Sequence, residues 1–159
     1  MPNKVNVEGD VQVRTKTFLT EKWIPPNIAT GAAYAANDAI GGMQEIDVPV
    51  SGVIQSANYW DRDDEGLQVD IAICSERFAT SIADNAAFSL LDEDTLKVIH
   101  VISFSSFTDF INGQMSSVVS IGKAYYAPSG KLYIQAIARG ALNIAAGSEP
   151  MFQLNILAD

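Results

Sequence analysis

The chain has very few of the residues that build metal centres and disulfide frameworks. It contains one cysteine, Cys74, and one histidine, His100, among 159 residues. A single cysteine excludes an intramolecular disulfide framework, so stability has to come from packing, including packing between subunits. A zinc site would need carboxylates for its remaining ligands, which is unlike the usual structural zinc sites.

Basic residues are also scarce, with 10 Lys and Arg against 19 Asp and Glu and a formal net charge of −9. Binding of the nucleic-acid backbone requires clustered cations, so we expect no nucleic-acid partner. Residues 1–30 hold four Lys or Arg and three Asp or Glu, a net charge of +1, which leaves −10 for the remainder. This near-neutral segment on an acidic body suggests that the two parts face different surroundings, and chance variation is the alternative.

Long apolar runs are missing. The longest, such as residues 98–104, are interrupted, and none approaches the roughly 20 apolar residues of a membrane-spanning helix. Residues 1–5 lack the apolar core of a secretory signal. We therefore expect no membrane partner and no export, and one reduced cysteine fits assembly in a cytoplasm. Hydrophobic residues still make up 48% of the chain, enough to bury a core.

Period-two alternation of apolar residues is the dominant pattern, and it is typical of strands that cover a core on one face. It is clearest where Leu67, Val69, Ile71 and Ile73 share a face. Turn sequences rich in glycine, proline and aspartate separate such segments. The pattern predicts an all-β fold, an antiparallel β-sandwich resembling a jelly roll. About eight strands are expected, over residues 11–19, 43–50, 53–60, 67–73, 97–104, 118–127, 131–139 and 152–158.

Helix is expected only between residues 79 and 96, as one or two short segments. The acids at residues 92–94 favour a helical turn there, because negative charge stabilises a helix N-terminus. The Ala-rich residues 29–39 are punctuated by Gly, Asn and Asp, so we interpret them as loop and strand. We divide the chain, a single domain overall, into an N-terminal strand or arm, residues 1–30, and a sandwich, residues 31–159.

An acidic turn provides the candidate for a metal site. Asp61, Asp63 and Glu65, followed by Gly66, match the first half of an EF-hand calcium loop. The glutamate that should close such a loop would fall at Ala72, and both flanks are predicted strands. We therefore favour an acidic solvated turn over a shallow calcium site, and we expect no cofactor.

No catalytic motif surrounds the residues that catalysis would require. A Ser-His-Asp or Cys-His triad would have to use His100, which lies inside an apolar strand, and Cys74 has no local activating signature. Carboxylate pairs for glycoside hydrolysis leave no short signature, so the acids neither support nor exclude them. We expect a structural or surface histidine and no enzymatic activity.

Aromatic residues are the candidates for binding. In the adjacent pairs Tyr59-Trp60 and Tyr125-Tyr126, one neighbour must point away from the sheet interior. An outward Tyr or Trp suits a protein interface or a sugar platform, and the alternative is that these residues cap the ends of the core. The interface candidates are Trp23, Ile24, Tyr59, Trp60, Tyr125 and Tyr133.

Several segments resemble a group of small structural proteins of tailed-phage virions. Residues 34–41, Tyr-Ala-Ala-Asn-Asp-Ala-Ile-Gly, are similar to the Y-A-x-x-D-x-I/V-G segment of that group. Residues 52–57, Gly-Val-Ile-Gln-Ser-Ala, are similar to the G-x-I-x-S-x strand that follows it. The resemblance to this group extends to residues 85–99, 138–140 and 154–159. The order and spacing of these segments carry the resemblance, which covers roughly residues 30–159.

The resemblance implies a virion component, in particular a capsid decoration or cement protein on the capsid exterior. Such a protein binds the major capsid protein in the assembled lattice and stabilises that lattice by mass action. A homotrimer over three-fold positions would add weak contacts through avidity. The near-neutral residues 1–30 would dock on the shell, and the acidic residues 61–94 would face solvent.

Three other functions remain as alternatives. A tail-tube, tail-terminator or head–tail joining subunit would form rings, usually with a sheet that continues across subunits. A carbohydrate-binding module would use an exposed Trp60 or tyrosine as a stacking platform. An enzyme is the last alternative.

Overall fold

The computed structural model describes residues 16–159, which form two antiparallel sheets and one short helix. Within these residues no helix is long and apolar enough to cross a membrane. The helix α1 (Asp92–Thr95) begins where the acidic residues predict it. The strands are β1 (Lys16–Leu19), β2 (Ala39–Asp47), β3 (Ser51–Asp61), β4 (Val69–Cys74), β5 (Val98–Phe104), β6 (Thr108–Asp109), β7 (Gln114–Tyr126), β8 (Lys131–Ala138) and β9 (Met151–Ala158).

The strand order is that of a jelly roll. One sheet has the order β1-β9-β3-β7-β6 and the other the order β2-β8-β4-β5. With the two-residue β6 set aside, β1 pairs with β9, β2 with β8, β3 with β7 and β4 with β5. Successive pairs of this nested set alternate between the two sheets, as in a folded double Greek key. The predicted all-β antiparallel sandwich is therefore confirmed.

The core between the sheets is built from alternate residues of each strand, which the period-two pattern predicts. In β9, Phe152, Leu154 and Ile156 are fully buried. Tyr59 of β3 stacks on Phe152, with ring centroids 4.9 Å apart, and Phe104 of β5 completes an aromatic cluster that links the two sheets. Aromatic packing of this kind adds to the hydrophobic stabilisation that area burial provides.

The four-stranded sheet is covered on its inner face and on part of its outward face. The chain between β4 and β5 folds back over its outward face, where Phe78 packs on Ala72, Cys74 and Ile137. Every residue of β4 is consequently buried. The alternation over residues 67–73 predicts one buried face only, so the prediction is incomplete at this strand because a distant segment covers the second face.

Within the described residues, the segment from Lys16 to β2 belongs to the sandwich. β1 lies beside β9, and the backbone of Trp23 donates to and accepts from that of Phe152 at 3.0 and 2.9 Å. Within residues 16–30 of the predicted strand or arm, the chain thus forms β1 and packs on β9, and residues 1–15 lie outside the described residues. β2 begins at Ala39, earlier than predicted, and β6 is an additional strand.

Candidate functional site

The acidic turn after β3 binds backbone amides. Asp61 accepts hydrogen bonds from the amides two and five residues further on, at 3.2 and 2.8 Å. Asp63 accepts from the Ala145 amide at 2.8 Å, and Glu65 from the Asn143 amide at 3.0 Å. The three carboxylates therefore face separate donors. Asp61 binds amides within the turn, and Asp63 and Glu65 attach the loop before β9 to it.

The two interpretations of the turn, a shallow calcium site and a solvated turn, both stay predictions. The carboxylates of the calcium candidate Asp61, Asp63 and Glu65 face separate amides, and no group of three His, Cys, Asp or Glu within residues 16–159 is arranged to hold a metal ion. Asp61 is only 4% exposed, so the turn is solvated only in part.

Cys74 and His100 lie on the adjacent strands β4 and β5. Burial, assisted by the negative charge of Asp94, raises the pKa of the Cys74 thiol to about 12. Burial and the positive charge of Lys123 lower the pKa of His100. Near neutral pH the thiol is protonated and the imidazole uncharged, and a buried protonated thiol is a poor nucleophile.

The structure places three of the six interface candidates in the core. Trp23, Tyr59 and Tyr125 are 7%, 1% and 8% exposed. Tyr59 and Tyr125 lie on the inward faces of β3 and β7, and Trp23 packs against Phe152. Of the two alternatives for the aromatic residues, interface and core, these three occupy the core.

The other three candidates retain outward surface. Trp60 and Tyr133 are half-buried, and Ile24 is exposed. Trp60 points outward from β3 where its neighbour points inward, and Tyr126 does the same beside Tyr125. The structure does not bring the candidates together, because Tyr133 lies on the four-stranded sheet and Trp60 on the five-stranded sheet.

Among residues 16–159, no charged side chain lies on the outward face of the five-stranded sheet. Register across β1, β9, β3, β7 and β6 aligns its residues in rows, such as Leu19, Asn155, Ser56 and Val119. We call this surface the neutral face. Its residues are Thr17, Leu19, Val53, Ser56, Asn58, Trp60, Thr108, Met115, Ser117, Val119, Ala124, Met151, Gln153, Asn155 and Leu157.

Charged residues are concentrated elsewhere. The four ion pairs found within residues 16–159 all involve the four-stranded sheet or the segment that leads into β5. Lys131 pairs there with Glu45 and Asp47, across the outward side of β8 and β2. At one end of the neutral face, the Lys22 ammonium lies 4.4 Å from the centroid of the Trp60 ring.

Two large apolar side chains on the neutral face are open to solvent. Leu19 is 57% exposed and Val119 is 70% exposed, and both belong to one cross-strand row. Between them, the enclosed side-chain oxygen of Asn155 accepts no hydrogen bond from any donor in the described part of the chain. This row thus combines exposed apolar surface with an acceptor that lacks a donor.

A second apolar feature borders the neutral face at the hairpin between β6 and β7. Phe110 and Ile111 are both exposed at its tip. Ile111 has a φ of +79°, a backbone conformation that β-branched residues rarely adopt. A cleft of about 460 Å³ separates Phe110 from Trp60 and is also lined by Arg62 and Asn112.

Fold and surface together define a jelly-roll β-sandwich. Its own chain covers part of the outward face of one sheet, and within residues 16–159 the outward face of the other sheet is uncharged. The sequence matches no protein-family model and no curated protein.

The sequence does contain a signal for the neutral face. The outward positions of β9, from Met151 to Leu157, alternate with the core residues and are all uncharged.

Proposed function

We propose that the chain is a virion structural protein of the decoration type, which binds the major capsid protein in an assembled lattice and stabilises the shell. The neutral face is the observation that supports this role. A broad sheet face without charge on an acidic protein suits association with other protein surfaces, whose buried centres are depleted of charged residues.

A decoration protein acts through mass action. Because it binds the assembled lattice and not the dispersed subunits, each occupied site lowers the free energy of the assembled state. At a free concentration about 100 times the dissociation constant, the gain is about 2.7 kcal/mol per site. A symmetric homotrimer would multiply this effect, since its three docking segments bind as one unit.

We assign docking on the shell to residues 1–15. Lys4 and Arg14 balance Glu8 and Asp10 there, so the segment has no net charge, in contrast to the acidic remainder. The described chain enters the sandwich at β1, an edge strand of the five-stranded sheet. The acidic residues 61–94 are a less uniform solvent surface than expected, because Asp61, Asp70 and Asp94 are buried.

Co-sedimentation with capsids tests the proposal. The purified chain is mixed with intact tailed-phage capsids from which the native chain has been stripped, and in parallel with dissociated capsid subunits. We expect saturable binding to the intact shells only, together with a higher temperature of shell disruption. Absence of binding, or equal binding to dissociated subunits, would overturn the decoration role.

A truncated chain tests the docking segment separately. Deletion of residues 1–15 should abolish binding and leave the circular dichroism spectrum unchanged. The deletion has to stop there, because removal of residues 16–27 would take away β1 and Trp23, which belong to the sandwich. Undiminished binding by the truncated chain would refute the assignment of the segment while leaving the decoration role intact.

One feature counts against a carbohydrate-binding module. A sugar platform at Trp60 would have to displace the Lys22 ammonium, which lies 4.4 Å from the centroid of that ring.

A further inference from the structure

We infer that the neutral face is the surface through which copies of this chain pack against one another. The inference concerns a second copy as the occupant, and it holds whether or not the chain binds a capsid. Four arguments support it: charge, the requirements of folding, composition and area.

The first argument is electrostatic. A chain with a net charge of −9 repels a second copy of itself, and contact through acidic surface would bring like charges together. The neutral face lets two copies meet without that repulsion. A basic partner would instead be matched by the acidic surface around the four-stranded sheet. Neutrality therefore fits another copy of the same acidic chain.

Folding of the single chain does not require this neutrality. An antiparallel sheet with one face on the core usually places polar and charged residues on the other face. At the 70%-exposed Val119, a charged residue would cost the isolated chain little and would increase its solubility. The exposed Leu19 in the same row is likewise unexplained by the fold of one chain.

The composition of the face matches that of buried interface centres. Such centres are enriched in aromatic residues and methionine and depleted of charged residues. Met151, Trp60 and Met115 form one cross-strand row at the end of the face near the hairpin tip. Small polar residues such as Ser56 and Ser117 leave the middle of the face low, so that a second surface can approach it closely.

The area of the face approaches that of a standard interface. The strands β1, β9, β3 and β7 have 4, 8, 11 and 13 residues. At about 3.3 Å per residue and about 4.8 Å between strands they cover about 570 Å², against the roughly 800 Å² that each partner buries in a standard interface.

Sedimentation equilibrium of the full chain over a wide concentration range tests the inference. The key variant is Val119→Glu, which places a negative charge halfway along β7, at the end of the row that also contains Ser56 and Asn155. Its control is Leu96→Glu, which makes the same exchange of charge for apolar surface at a residue 86% exposed and just before β5. Circular dichroism and thermal unfolding establish that both variants are folded.

We expect the wild-type chain to form a defined oligomer, and Val119→Glu to raise its dissociation constant at least about 30-fold, as a charge buried at an interface does. Leu96→Glu should stay within about twofold of the wild type. Added salt should not dissociate the oligomer, since no ion pair holds the face together.

A dimer would mean that two neutral faces pack on each other, and a trimer would mean packing around a three-fold axis.

Three results would overturn the inference. They are a wild-type chain that is monomeric at every concentration, an oligomer unaffected by Val119→Glu, and an oligomer that both variants weaken equally. A dimer would support the inference and contradict the trimer of the decoration proposal, so the two proposals can fail independently.

Discussion

Trp23 stacks on Phe152, with ring centroids 4.7 Å apart and ring planes inclined by 20°, and the two residues also exchange two backbone hydrogen bonds. This contact joins the segment after β1 to the last strand of the sandwich. Trp23, which the sequence offers as an interface candidate, is thus part of the core. Its removal should lower the free energy of unfolding.

Replacement of Trp23 by alanine should lower the free energy of unfolding by about 3–5 kcal/mol, because it leaves a cavity against Phe152. Urea denaturation followed by circular dichroism measures the change. Ile24→Ala is the matched control, since Ile24 is the exposed neighbour, and it should cost less than about 1 kcal/mol. Equal losses for the two variants would show that Trp23 is not a core residue.

Asp84 should be the most important carboxylate of the segment that covers the four-stranded sheet. It accepts hydrogen bonds from the Tyr34 hydroxyl and the Ala29 amide, both at 2.8 Å, and from the Gly41 amide. Asp84→Ala leaves three donors unsatisfied and should cost about 2–4 kcal/mol, whereas Tyr34→Phe removes one bond and should cost about 1 kcal/mol. Chemical denaturation compares the two, and the prediction fails when Tyr34→Phe costs as much as Asp84→Ala.

The Asp94–Lys97 pair predicts a loss of stability in acid. A hydrogen bond from Lys97 at 2.7 Å, followed by one from the Ala79 amide at 2.9 Å, lowers the pKa of Asp94. The stabilisation by this carboxylate is present above its unfolded-state pKa of about 4 and is lost as the pH falls through the lower folded-state value. Asp94→Asn should therefore flatten the dependence of stability on pH below about pH 4. Urea midpoints measured across that range test it, and parallel curves for the variant and the wild type would contradict it.

Cys74 should be unreactive in the folded chain. Burial raises the pKa of its thiol to about 12, and the side chain is fully enclosed. A thiol reagent such as Ellman's reagent should label no cysteine in the native protein at mildly alkaline pH and one after denaturation. Rapid labelling without denaturant would place Cys74 at the surface instead.

Ile111→Asn should stabilise the chain. A β-branched residue at a φ of +79° is strained, and asparagine tolerates that backbone conformation at little cost. We expect a gain of about 1 kcal/mol in thermal unfolding experiments. Phe110→Asn, at the adjacent exposed position, is the control and should change stability by less than about 0.5 kcal/mol. A loss of stability in Ile111→Asn would mean that the tip depends on its apolar side chain.

Strand positions could be predicted from the sequence because alternation is a local property. Tyr59 and Trp60 must face opposite sides of one strand, and they do. The two-residue β6 is too short to produce a pattern. The burial of both faces of β4 depends on Phe78, which lies outside the strand, although the nearly continuous apolar run from Val69 to Cys74 is typical of a doubly covered strand.

The role of the acidic turn depends on contacts that no local spacing predicts. The match of Asp61, Asp63 and Glu65 to half of a calcium loop compares positions along one segment. Their hydrogen-bond donors include the amides of Asn143 and Ala145, about eighty residues further along the chain. Only the jelly-roll topology, which brings the loop before β9 next to the end of β3, determines this pairing.

The bare outward side of the five-stranded sheet has a consequence for protein engineering. Charged substitutions at Val119, Ser117 and Thr17 alter no core contact of the single chain, because all three side chains point to solvent. A library selected for folding alone would accept lysine and glutamate at these positions, and a library selected for assembly would reject them. Supercharging this one surface would then yield a soluble monomeric scaffold with an unaltered jelly roll.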